Sequence, residues 1–176
     1  TAPDGNSQPF MNDPFQPCTP VKQQMMMLKF GEVKPAGWLK TQMQKDLDGF
    51  VGHLAELVPD LMSDSIYGRD RLTAQVKSKN VGNIGLEADP QYLWWNSETQ
   101  SNWHDGYLRN AILLDDAKHL AKAKEYIRYI LATQDSNGYL GIYGPDLRYN
   151  FSDENGELWA KTTVLRGLLG WYEYSG

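Results

Sequence analysis

The residues best suited to chemistry are concentrated between positions 94 and 105. Trp94, Trp95, Glu98, Trp103, His104 and Asp105 put three indoles, two carboxylates and an imidazole into one short stretch. An indole offers a flat apolar face and one N–H donor, which suits stacking on a sugar ring as well as packing in a core. Glycoside hydrolysis needs two carboxylates flanking the scissile bond, one of them as acid. A carboxyl group held among aromatic rings ionises less readily and can deliver a proton. Glu98 is therefore the candidate acid or hydroxyl ligand, and Asp105 the candidate to grip a sugar hydroxyl. Each has a plainer reading as well. Asp105 falls in the first turn of a predicted helix, where a negative charge is stabilising anyway. The three tryptophans also fit a core.

Further candidates lie outside this stretch. His53 and Glu56 stand at i and i+3 and so share a helix face. With Gly49 one turn earlier, that face either lines a cavity or holds a hydrogen-bonded, half-buried histidine. Trp159 and Lys161 open the last helix, and Lys161 either reaches an acidic sugar or stands exposed. Tyr139, Tyr143 and Tyr149 follow along one loop and are read as part of a rim. Gln134, Asp135 and Asn137 resemble half of a calcium loop, but the closing Glu is missing and a turn is expected. The histidines show no His-x3-His spacing, and Cys18 is the single cysteine. No metal site is assigned, no cofactor is expected within this chain, and no internal disulfide can form.

Charge narrows the ligand class. The formal net charge is −5 and no Lys/Arg cluster occurs, so a nucleic-acid partner is not expected. No apolar run approaches the roughly 18 residues of a membrane span. Six tryptophans and ten tyrosines then favour an oligosaccharide or polysaccharide as the ligand.

The elements that must position these residues read as helices. Residues 1–20 carry five prolines and form an extended leader, and residues 21–176 form the body. Val21–Phe30, with its run Met25-Met26-Met27-Leu28, reads as a short strand or buried apolar stretch. A helix begins at Pro35, and Leu39, Met43, Leu47, Phe50, Leu54 and Leu57 give it one apolar face until Pro59 stops it. Gly49 and Gly52 inside it signal close approach of another backbone or a ligand. Residues 61–93 read as a long surface excursion, with a short helix near Asp70–Val76. Helices follow at about 101–114, 116–133 and 158–174, with a turn at Asn137-Gly138 between the last two. In the second of them, Leu120, Ala123, Ile127, Ile130 and Leu131 form the buried stripe. The fold class is all-α, with helical hairpins forming part of a toroid. A closed toroid of six hairpins needs about twelve helices. The chain is thus expected to supply the N-terminal portion, completed by C-terminal helices or another chain.

Three segments carry a family resemblance. Phe30–Lys40 with Lys34-Pro35-Ala36-Gly37-Trp38-Leu39 continues to Gly52-His53-Leu54-Ala55-Glu56. Glu98 precedes Trp103-His104-Asp105-Gly106 and Leu113-Leu114-Asp115-Asp116. Gln134-Asp135-Ser136-Asn137-Gly138-Tyr139 precedes Trp159-Ala160-Lys161 and Leu165-Arg166-Gly167-Leu168. Together they resemble the N-terminal part of β-L-arabinofuranosidase-like proteins around glycoside hydrolase family 127. The resemblance implies an (α/α)6 barrel in secreted, periplasmic or cell-surface bacterial enzymes that trim plant or host glycans. It also implies a zinc-bound cysteine nucleophile and a glutamate acid/base. Cys18 in the leader does not match that pattern, so either the cysteine and glutamate, with their zinc, belong to a C-terminal part outside this chain, or this branch uses another mechanism. Two alternatives remain: a non-catalytic glycan-binding or scaffolding toroid, and another toroidal enzyme such as an unsaturated-uronyl hydrolase or a polysaccharide lyase. The scarcity of basic residues near the aromatic group counts against a lyase.

Overall fold

The computed structural model describes Met25 and residues 28–73, 94–149 and 156–176. The described residues are mostly helical and contain no strand, only an isolated bridge between Leu72 and Tyr143. The helices are α1 (Gly37–Asp48), α2 (Phe50–Leu57), α3 (Asp60–Ser63), α4 (Trp95–Leu114), α5 (Ala117–Ala132) and α6 (Glu157–Ser175). The leader lies outside the described residues, and so does most of the expected Val21–Phe30 strand.

Helix α4 lies at the centre and packs against each of the others. On α5 its partners run backwards: Gln100 meets Tyr126, His104 meets Ala123 and Tyr107 meets His119. On α6 they run forwards: Trp94 meets Trp159, Asp105 meets Arg166 and Arg109 lies against Gly170. So α4 and α6 are parallel neighbours, and α5 is the antiparallel return between them. The α1–α2 arm is antiparallel to α4, since Asn110 reaches the Met43 carbonyl and Trp103 that of Val51.

The single helix expected from Pro35 to Pro59 is two. Gly49, at φ −107° and ψ −127°, breaks it, which rotates the second half relative to the first. The six-residue apolar stripe therefore does not share one face. Leu47 is buried, while Leu39, Phe50 and Leu57 are exposed. Gly52 does what such a glycine was expected to do. A Cβ there would stand 1.8 Å from the Leu47 carbonyl oxygen and 2.8 Å from the His119 ring.

Two apolar clusters form the core. One joins Leu47, Tyr107, Leu108, Ile112, Ala123 and Ile127 across α1, α4 and α5. The other gathers Ile66, Tyr67, Leu72, Tyr126, Ile130, Ile142, Tyr143, Ala160 and Val164. The second cluster corrects the reading of residues 61–73 as a surface excursion: Leu61, Ile66, Tyr67 and Leu72 are all buried. Leu61 lies in the one-turn helix α3, Ile66 and Tyr67 on a turn and Leu72 in the isolated bridge, a succession too short and irregular for inward-facing residues to follow a period. Residues 70–73 are not helical, and the rest of the expected 70–76 helix lies outside the described residues. On α5, Ala123, Ile127 and Ile130 are buried as expected, while Leu131 is exposed. The Asn137-Gly138 turn is present, with Gly138 at φ +88°.

Gly52→Ala is expected to lower stability by about 3 kcal/mol, because both obstructing groups are held by packing. Chemical denaturation measures this, and an unchanged midpoint would contradict the close approach of α2, α1 and α5.

Candidate functional site

Helix α4 begins at Trp95 rather than near Ser101. Glu98, not Asp105, therefore occupies its first turn, and Asp105 lies in mid-helix. The early start is hard to read because the inward positions of this segment are polar. Ser97, Gln100 and Ser101 are buried among hydrogen bonds instead of apolar contacts. The Tyr67 hydroxyl lies 2.8 Å from Ser101 Oγ and 3.1 Å from the Ala160 carbonyl, which ties the 64–73 segment to α4 and α6. Desolvation pushes that phenol up to about 12. Tyr126 donates to Gln100 Oε1, whose amide donates to the Asp64 carbonyl.

The C-terminal half of the expected sugar-gripping group turns inward. Trp103 stacks on Tyr107 with ring centroids 5.1 Å apart, and its Nε1 donates to the Val51 carbonyl. His104 is 2 % exposed and bonds the Ala123 carbonyl at 2.9 Å. Burial lowers its pKa to about 4, outweighing the opposing pull of that carbonyl and of Asp105. Asp105 is 3 % exposed. Its Oδ1 accepts from Arg109 Nε and its Oδ2 from Arg166 Nη2, each at 2.7 Å. These three residues hold helices together. None of them offers a sugar a free polar atom through the role first read for it.

Among the described residues, the face that α4 and α6 share remains uncovered. On α4 it runs through Trp95, Glu98, Asn102 and Gly106, at spacings of one helical face. On α6 it runs through Trp159, Thr162 and Arg166, all exposed. Glu98 is half-buried, and no hydrogen bond or ion pair engages it among the described residues. Trp94 packs at 6.4 Å from Trp159, and its buried Nε1 has no hydrogen-bond partner among the described residues. Gly106 stands in mid-helix, where it costs about 1 kcal/mol relative to Ala. No described residue lies within 4 Å of where its Cβ would be. Packing among the described residues does not require that glycine, whereas a ligand lying close on the helix would.

The remaining expected residues scatter. Lys161 is not an exposed cation. Its Nζ donates to Glu157 Oε1 at 2.8 Å and sits 4.6 Å from the Tyr139 ring. Glu157 is fully buried and also accepts from the Tyr149 amide. Tyr139 and Tyr143 are buried, so of the expected tyrosine rim only Tyr149 is exposed. Burial raises the pKa of both buried phenols. Asp135 is held by Arg71 and Arg148, each at 2.7 Å, and these cations keep its carboxyl below the usual range. His53 and Glu56 pair at 3.0 Å on the outside of α2, on a different helix from the α4–α6 face. The bond to His53 lowers the Glu56 carboxyl.

Among the described residues, Asp48, Asp116 and His119 bring ligand atoms within 4.8 Å of one another, a donor set that suits a divalent cation. Among them, too, no helix is long and apolar enough to cross a membrane. Arg109, Arg166, Glu157 and the outward-facing Gly106 were not picked out from the sequence as site residues. Arg166 and Gly106 did lie within the quoted motifs. Comparison with protein-family models, curated proteins and solved structures gives no match in any of the three.

The neutral imidazole of His104 makes stability pH-dependent. The unfolded chain takes up its proton near pH 6.5, whereas the folded chain does so only near pH 4. Stability is therefore full above about pH 6.5 and falls by about 3 kcal/mol as pH drops to 4. His119, also lowered by burial, adds in the same direction. His104→Gln is expected to flatten the slope of denaturation free energy over this window. An undiminished slope would show that His104 is not its source.

Proposed function

We propose that this chain forms one wall of an (α/α) toroid of the glycoside-hydrolase kind, and that the open face of α4 and α6 is its glycan-binding surface. The observation that carries the reading is Glu98: a half-buried carboxylate without a partner among the described residues, one turn from the exposed Trp95. The exposed Trp159 stands at the same end of the helix pair. Flat indole faces take the apolar side of a sugar ring, and a carboxyl group beside them can hold a proton for a leaving oxygen. The toroid is supported by two parallel neighbours with an antiparallel return, the order that repeats around such an array. An exposed apolar stripe on α6 (Leu158, Leu165, Leu169 and Tyr172) at helical spacing supports further helices packing there. The resemblance to the family 127 group adds plant or host glycans as the substrate class and export from a bacterial cell as the setting.

Asp105 favours a second reading. Both of its oxygens are taken by arginines, so it cannot act as the second carboxylate of a hydrolytic pair. A glycan-binding toroid without turnover fits that fact. The described residues supply no thiolate, so they do not fit the zinc-cysteine centre of the family, and no step is assigned to zinc.

Calorimetric titration with arabino-oligosaccharides is expected to show binding that Trp159→Ala weakens about tenfold, a loss of roughly 1.4 kcal/mol. Absence of binding by the parent chain would remove neutral arabino-oligosaccharides as its ligand, and absence of binding to acidic oligosaccharides as well would sink the reading. If the protein turns over aryl arabinofuranosides, Glu98→Gln should lower kcat/KM about a hundredfold or more while leaving binding in place. An unchanged kcat/KM would remove Glu98 from the chemistry.

A further inference from the structure

We infer that the glycan taken by the α4–α6 face is acidic, with Arg166 receiving the carboxylate of a uronic-acid unit. The inference rests on the glycan reading above and names its ligand class. Arg166 keeps 55 % of its side chain exposed, yet it is not free to wander. Its Nη2 donates to Asp105 Oδ2 at 2.7 Å and its Nη1 to Asn102 Oδ1 at 3.2 Å. A guanidinium carries five N–H donors in a fixed plane, more than these two acceptors take up. Holding it in place beforehand removes most of the ordering cost that an exposed arginine meets on binding. Planar donors fixed in this way match the two oxygens of a carboxylate.

Charge points in the same direction. Asp105 is the anion shared by Arg109 and Arg166, so one positive charge is left in excess at this spot. That excess is local, because the chain as a whole carries −5. Glu98 lies one helical turn, about 6 Å along the axis, from Asn102, which Arg166 also bonds. It therefore offsets part of the positive potential at Arg166, and the preference for an acid rests on the fixed guanidinium donors. Gly106, one residue beyond Asp105, leaves the surface there bare, with no described residue within 4 Å of its Cβ position. The low density of basic residues around Trp94–Asp105 was a fact about sequence distance only. Folding brings Arg166 to Asp105 across 61 positions.

The test is calorimetric titration of the 176-residue chain with a galacturonic-acid trisaccharide and with its fully methyl-esterified form. The acid is expected to bind roughly tenfold more tightly than the ester, and the preference should shrink towards none at about 0.5 M salt. Arg166→Gln should abolish the preference, bringing the acid-to-ester affinity ratio to about one, while Arg166→Lys should keep part of it. Circular dichroism of each variant checks that the helices persist, and the parent acid-to-ester ratio does not depend on any variant. Equal binding of acid and ester by the parent overturns the acidic class but leaves glycan binding standing. A folded Arg166→Gln chain that keeps the preference overturns the role of Arg166. Failure of both trisaccharides and of neutral arabino-oligosaccharides overturns the glycan reading itself.

Discussion

The structure depends on burying α4 on most of its sides although many of its inward residues are polar. Ser97, Gln100, Ser101, His104 and Asp105 are buried alongside Tyr107, Leu108, Ala111 and Ile112. A buried polar group left unpaired costs about 1–3 kcal/mol, so each of these must find its partner on a neighbouring element. The partners are specific. Tyr126 and Ala123 on α5, Arg166 on α6, and Tyr67 and Asp64 on the segment before α4 satisfy the helix. Apolar packing alone tolerates sliding, whereas these bonds fix the register of α5 and α6 on α4. The tight seam between α4 and α6 follows the same logic, with Gly167 lying 3.3 Å from His104 Nδ1 at its Cβ position.

Fixing that register has a consequence on the opposite side of the helix. The pairs that lock Asp105 to α6 also present Arg166 outward, and the helix turn that buries Ser97 and Gln100 leaves Trp95 and Glu98 facing out. The open face is thus the reverse of a fully committed interior. Arg166 is held there by bonds to Asp105 and Asn102, which is the condition for recognising a ligand without first ordering that side chain.

The helical character and the existence of α4, α5 and α6 were legible because apolar positions and turn residues mark them. The break at Gly49 was not, since a glycine within a periodic stretch reads equally as a contact point. The buried 61–73 segment escaped because its short, irregular elements bury residues without a period. Within the candidate site, Trp95, Glu98 and Trp159 were picked out by residue type and stand on the α4–α6 face. Trp103, His104 and Asp105 turn inward, which their types did not reveal, for a physical reason. A buried polar residue and a ligand-binding polar residue look alike until the partners are known, and here those partners are Val51, Ala123, Arg109 and Arg166. Long-range pairing also hid the cationic character of the face, because no spacing rule connects Asp105 to Arg166.

The central claim is that one face of one helix pair receives the ligand. Amide hydrogen exchange with and without a saturating uronic-acid oligosaccharide tests it most directly. The account predicts added protection in residues 95–109 and 157–170, with the α1–α2 arm unchanged. Protection confined to the α1–α2 arm, or absent throughout while the ligand is bound, would contradict it.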